Sequence, residues 1–141
     1  MSPYRLQQAN HARASKVNLL PLPREQVDSL SLRYHLCLET LRCGQGHRHT
    51  LDTLAVMLLY AGGLHDLGHG QLRYADVDAA QCALNDAYEC GRATGIWKLG
   101  EIGFWLLAGV LCIHDRQLAK APIASVRKVD TSVLKVLPSW H

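Results

Sequence analysis

The chain has 141 residues, 48% of them hydrophobic and 19% charged, and carries a formal net charge of +3. This length fits one domain with a real core, and the composition suits a folded, soluble protein. No apolar run reaches the roughly eighteen residues that a membrane span needs; the densest, Ile102–Ile113, reads as a buried helix.

The N-terminal "MSPYRLQQANHARASKVNLLPLP" lacks the continuous apolar stretch of a signal peptide, so a cytoplasmic protein is expected. Residues 1–20 show no sustained periodicity and predict a mobile basic arm, taken as residues 1–22, ahead of a helical domain over 23–141. Pro21 and Pro23 punctuate the chain, and Pro23-Arg24-Glu25 opens a helix with proline near its first turn. Val27, Leu30, Tyr34, Cys37 and Leu41 recur at steps of three and four. Leu32, Leu36 and Leu38 broaden that stripe, so the helix is expected to be mostly buried until Gly44 and Gly46 end it.

Thr50 is placed to cap a second helix whose apolar face is Leu51, Leu54, Ala55, Leu58 and Leu59. Gly62-Gly63 is expected to weaken or break it, at about 1 kcal/mol per glycine, leaving His65–Tyr74 as a loop. A third helix is predicted over about Asp76–Gly91, with Val77, Ala80, Leu84, Ala87 and Tyr88 inward and Asp76 and Asp78 at the positive end of its dipole. "ATGIWKLG" then turns the chain. Glu101–Lys120 is apolar on all sides until His114, the pattern of a helix at the centre of a bundle, and Pro122 stops it. Val126, Val129, Val133 and Val136-Leu137 suit a fifth helix with Arg127, Lys128 and Lys135 outward, while the β-branched content leaves a strand as the alternative. The predicted fold is an all-α, single-domain bundle of about five helices.

Charge is distributed unevenly. Residues 1–24 carry four Lys/Arg and no acid, residues 25–115 a net −5, and residues 116–141 a net +4. Two basic ends flanking an acidic middle can serve nucleic acid or an acidic protein surface. Five cysteines form no CxxC pair, and their odd number predicts reduced, mostly buried thiols, with no structural zinc site and no cofactor. Trp97 and Trp105 are read as core residues.

One segment invites chemistry. His65-Asp66 within "GGLHDLGHG", Gly62–Gly70, resembles the "LLHDIGH" signature of HD-domain metal-dependent phosphohydrolases. That family needs an upstream histidine, the His-Asp doublet and a distant aspartate around a divalent metal that acidifies a bound water. His49 lies sixteen residues before His65, about 24 Å along a continuous helix and still about 20 Å if the helix breaks at Gly62. His35, across a helical hairpin, falls opposite position 58 and misses position 65 by roughly 10 Å. His114-Asp115 could supply the distant acid, with nothing in the sequence to constrain it. The expected role of His65, Asp66 and His69 is therefore a water-facing turn shaped by its glycines. Cys43, His47 and His49 have crude ligand spacing without a second cluster. The chain holds no phosphate loop and no nucleophile elbow.

"LLPLPREQVDSLSLRYHLCLETLRCGQG", "AQCALNDAYECGRATGIWKLG" and "HDRQLAKAP" together resemble small helical accessory proteins carried by plasmids and integrative conjugative elements of proteobacteria, some of them labelled Fis-like transcriptional regulators. The likeness covers most of residues 19–122. It implies a non-enzymatic protein that acts by binding, as anti-CRISPR inhibitors of bacterial defence complexes do. The candidate partner-binding residues are the acids Asp66, Asp76, Asp78, Asp86 and Glu89. For a DNA-binding regulator the candidates are Arg5, Arg13, Lys16, Arg127, Lys128 and Lys135, and for a metal hydrolase His65 and Asp66.

Overall fold

The computed structural model describes Gln8 and residues 16–136. The described chain folds as an all-α bundle of five long helices: α1 (Arg24–Arg42), α2 (Arg48–Asp66), α3 (Tyr74–Thr94), α4 (Glu101–Lys120) and α5 (Ile123–Val136). Around α2 the other helices form an open ring. α1 packs on α4 and α4 on α3, while α5 lies along α2 and its backbone approaches no other of these helices. α3 and α5 consequently flank α2 with no close approach of their backbones.

The second helix, not the fourth, is the buried axle. From Thr50 to His65 no residue of α2 is exposed, and Leu51, Leu54, Met57, Ala61 and Leu64 are wholly inaccessible. Burying each such leucine contributes about 1.5–3 kcal/mol, so the core is organised around this rod. The expectation that α4 sits at the centre fails because its apolar residues are divided. Leu107, Val110, Leu111 and Leu118 face the core, whereas Ile102 and Trp105 are 79% and 64% exposed. Trp105 is therefore no core residue, while Trp97 packs edge-on against Tyr88 at 6.2 Å between ring centroids.

Two further expectations on the first hairpin are corrected. α1 is less buried than its leucines imply: Val27, Tyr34, Leu38 and Leu41 turn inward, but Leu32 and Leu36 point to solvent. Thr50 is not the N-cap of α2; His47 is, and the Thr50 hydroxyl accepts the His47 backbone N–H at 3.1 Å from the third helical position. The thiols also differ from expectation, since Cys43, Cys82, Cys90 and Cys112 are exposed and only Cys37 is half-buried.

Gly62-Gly63 does not break α2, which runs on to Asp66. The two glycines do different things. A Cβ on Gly63 would lie 2.7 Å from Val129 Cγ1, so its absence lets α5 lie close on α2. A Cβ on Gly62 would meet nothing within 4 Å. The loop before α3 is accordingly short, residues 67–73, and α3 starts at Tyr74 and ends with Gly95 at φ +75°.

Candidate partner-binding groove

His65 and Asp66 lie on the last turn of α2, not in the loop. His65 Nδ1 accepts the Leu72 backbone N–H at 3.4 Å, and Asp66 accepts the Tyr74 hydroxyl at 2.6 Å. That hydrogen bond to a carboxylate raises the Tyr74 hydroxyl pKa above its ordinary value. His69 pairs through Nε2 with the Ser125 hydroxyl at 2.9 Å, reaching the first turn of α5. Gly68 and Gly70 take φ +88° and +83°, a region that favours glycine. The segment thus closes the α2–α3 turn and fastens it to its neighbours.

Its anchor is Gln117 on α4, which is buried. The Gln117 amide donates to the carbonyls of Ala61 (3.0 Å) and His69 (2.9 Å), and its Oε1 accepts from His114 Nδ1 at 2.8 Å. Burial lowers the His114 pKa; the Gln117 contact and Asp115 oppose the shift without cancelling it. The other histidines weighed as metal ligands lie elsewhere: His35 pairs with Asp115 at 2.8 Å, and His49 is in the first turn of α2, at the opposite end from His65. Among the described residues no three His, Cys, Asp or Glu side chains gather where they could hold one ion.

Because α3 and α5 stand apart over α2, the surface between them is a groove. Its two lobes, of about 620 and 420 Å³, share Leu58, Leu59 and Val77. The larger lobe runs between α2 and α3 over Ala55, Val56 and Leu84, with Arg48, Asp52, Glu89 and Arg92 at its margin. In it Asp52 accepts the Tyr88 hydroxyl. The smaller lobe lies between α2 and α5 over Gly62, Gly63, Val129 and Val133, with Asp66 and Lys128 at its margin.

Of the acidic candidates, Asp66 and Glu89 line the groove, but in different lobes, so the structure does not bring them together. Asp78 and Asp86 are exposed on α3 outside the groove lining, and Asp76 is half-buried in the first turn of α3. Of the basic candidates, Lys128 lines the groove, Lys135 is exposed on α5, and Arg127 donates to the Asn18 side chain at 2.9 Å. Lys16 is exposed, and Arg5 and Arg13 lie outside the described residues. The described part of the N-terminal segment is fastened to the α4–α5 turn: the Ile123 N–H donates to the Leu20 carbonyl at 2.8 Å, and Pro21 bridges Pro122.

Sequence reading missed the groove itself. Its one available signal was a glycine pair inside an unbroken helical stripe, where the first glycine faces open space and the second a neighbour. No protein-family model, curated protein or solved structure matches this chain. Among the described residues no helix is long and apolar enough to cross a membrane.

Proposed function

We propose that this chain performs no catalysis and acts by binding a protein partner, taking an amphipathic helix of that partner into the groove over α2. The carrying observation is the pair of flanking helices, α3 and α5, that leave the apolar side of α2 open between them. A helix laid in such a groove buries its apolar face against Val56, Leu59, Val77 and Val129, the usual mode of helix-in-groove recognition. Both margins carry charges of both signs, Arg48, Asp52, Glu89 and Arg92 along one lobe and Asp66 and Lys128 along the other, to meet the polar flanks of the partner helix. Asp78 and Asp86 extend an acidic surface beyond the groove on α3. Together with the resemblance to mobile-element accessory proteins, this favours a component of a bacterial defence complex as partner, an anti-CRISPR type of inhibition.

Gly62 separates folding from binding in the test. A bulky side chain there enters open groove and raises helix propensity, so Gly62→Phe folds and blocks the partner's seat. Affinity purification from a host with an active CRISPR system is expected to recover a stoichiometric partner with the wild type and an Asp78→Ala control, and to lose it with Gly62→Phe. Equal recovery with Gly62→Phe removes the groove from the reading, and no specific recovery removes protein binding.

One observation favours a second reading, a DNA-binding regulator. The only carboxylate of α5, Asp130, is half-buried and accepts the Tyr60 hydroxyl, so the exposed face of that helix carries Arg127, Lys128 and Lys135 without an acid. Phosphate contacts by such a face predict DNA affinity that falls steeply with salt. A mobility shift abolished by Arg127→Ala with Lys128→Ala supports it; a shift indifferent to both changes and to salt counts against it.

A further inference from the structure

α4 carries a second pattern that the core does not use. Ile102, Trp105, Gly109, Cys112, Arg116 and Ala119 recur at steps of three, four, three, four and three, and all six are exposed. A strict alternation of this kind is the a/d seam of a coiled coil, narrower than the stripe of a core-facing helix. Here it runs along the outer side of a helix whose inner side is already packed against α1, α2 and α3. Ile102 and Trp105 hold exposures of 79% and 64%, and a Cβ on Gly109 would meet nothing within 4 Å.

The seam is complementary to itself in one direction only. Its N-terminal end carries Glu101 and Trp105, and its C-terminal end Arg116 and Lys120; none of these three charged residues forms an ion pair among the described residues. We propose that α4 is the interface of a homodimer, in which the α4 helices of two copies pack antiparallel. In the register that layers a against d, Trp105 of one copy faces Arg116 of the other, Gly109 faces Cys112, and Ile102 faces Ala119. Arg116 then lies over an indole ring, with Glu101 one turn away to meet the incoming positive charge. Gly109 lets the helices approach closely at the centre. The parallel alternative stacks Arg116 on Arg116 inside the seam, and an uncompensated like charge there opposes pairing. Antiparallel helices also set their macrodipoles head to tail. The α2 groove lies on a different side of the bundle, so each copy keeps its own groove and the dimer does not depend on the binding reading.

Light scattering coupled to size exclusion, at sub-millimolar concentration, tests this on the full chain. The wild type is expected to elute at twice the 15.6 kDa chain mass. Because every contact occurs twice, Trp105→Ala and Arg116→Glu are each expected to weaken association at least about tenfold. Glu101→Lys should also weaken it, and Glu101→Lys with Arg116→Glu should recover most of the loss. All three positions are exposed, and unchanged circular dichroism confirms that the variants fold. A monomeric wild type overturns the proposal, as does a dimer that Arg116→Glu strengthens. Dimerisation indifferent to all of these changes places the interface elsewhere and overturns it equally.

Discussion

His114 and Gln117 stand one helical turn apart on α4, and the chemistry of one fixes the protonation of the other. The Gln117 amide nitrogen is committed to two carbonyls, Ala61 O and His69 O, so its Oε1 faces His114 and accepts. His114 Nδ1 must therefore carry a proton, and the ring is held as the Nδ1–H tautomer. The pair ties the C-terminal half of α4 to both α2 and the 67–73 loop.

The state of His114 predicts how stability varies with pH. Burial lowers its folded-state pKa below the ordinary 6.5, so on acidification the unfolded chain takes up the proton first. The contribution is complete above the unfolded value and is lost as pH falls through 6.5 towards the lower folded value. Urea denaturation of wild type and His114→Gln between pH 8 and 5 measures it. The stability gap between them is expected to narrow as pH falls, and a gap constant with pH refutes the assignment.

The adjacent glycines of α2 should respond in opposite ways. Gly63→Ala places a methyl 2.7 Å from Val129 Cγ1 and is expected to cost about 1–3 kcal/mol as α5 shifts outward. Gly62→Ala meets open space and is expected to add up to about 1 kcal/mol through helix propensity. Denaturant midpoints of the two variants check this, and Gly63→Ala with Val129→Ala should fare better than the sum of the two single changes. Two equal and additive effects would mean that Gly63 serves propensity alone.

These glycines also show where sequence and structure part. Residue spacing made the number and order of the helices legible, and the bounds of α4 emerge as read, because Gly100 and Pro122 punctuate a continuous apolar segment. Propensity argued for a break at Gly62-Gly63, and tertiary contact overrode it: the close seat of α5 on Gly63 keeps α2 intact and moves His65 and Asp66 from loop to helix. Apolarity alone could not distinguish α2, flanked by all four other helices and open only along the groove, from α4, covered on one side and exposed along Ile102 and Trp105. The groove depends on which helices keep their backbones apart, α3 and α5, and local periodicity carries no record of that.

His65 and Asp66 should behave as ties of the α2–α3 turn. His65→Ala removes the acceptor for the Leu72 N–H, and Asp66→Ala the acceptor for the Tyr74 hydroxyl. Both contacts are partly or fully exposed, so each change is expected to cost no more than about 1 kcal/mol. Elemental analysis of the purified wild type is expected to find far less than one equivalent of bound metal. A full equivalent that disappears in Asp66→Ala would return the pair to metal chemistry.

Tyr60 and Asp130 make the corresponding tie between α2 and α5. The Tyr60 hydroxyl donates to the Asp130 carboxylate; burial first, and that carboxylate second, raise the hydroxyl pKa above its ordinary value. Tyr60→Phe leaves a half-buried carboxylate without this donor, at an expected cost of about 1–3 kcal/mol. Asp130→Asn retains an acceptor and should cost less. α5 rests on α2 alone by backbone proximity, so the loss should appear first as local opening of that helix. Hydrogen exchange in Tyr60→Phe is expected to accelerate across Ile123–Val136 more than in α1 or α4. A uniform acceleration across the bundle would show instead that α5 unfolds only with the whole, and that Val126, Val129 and Val133 bind it to the core more strongly than the tyrosine does.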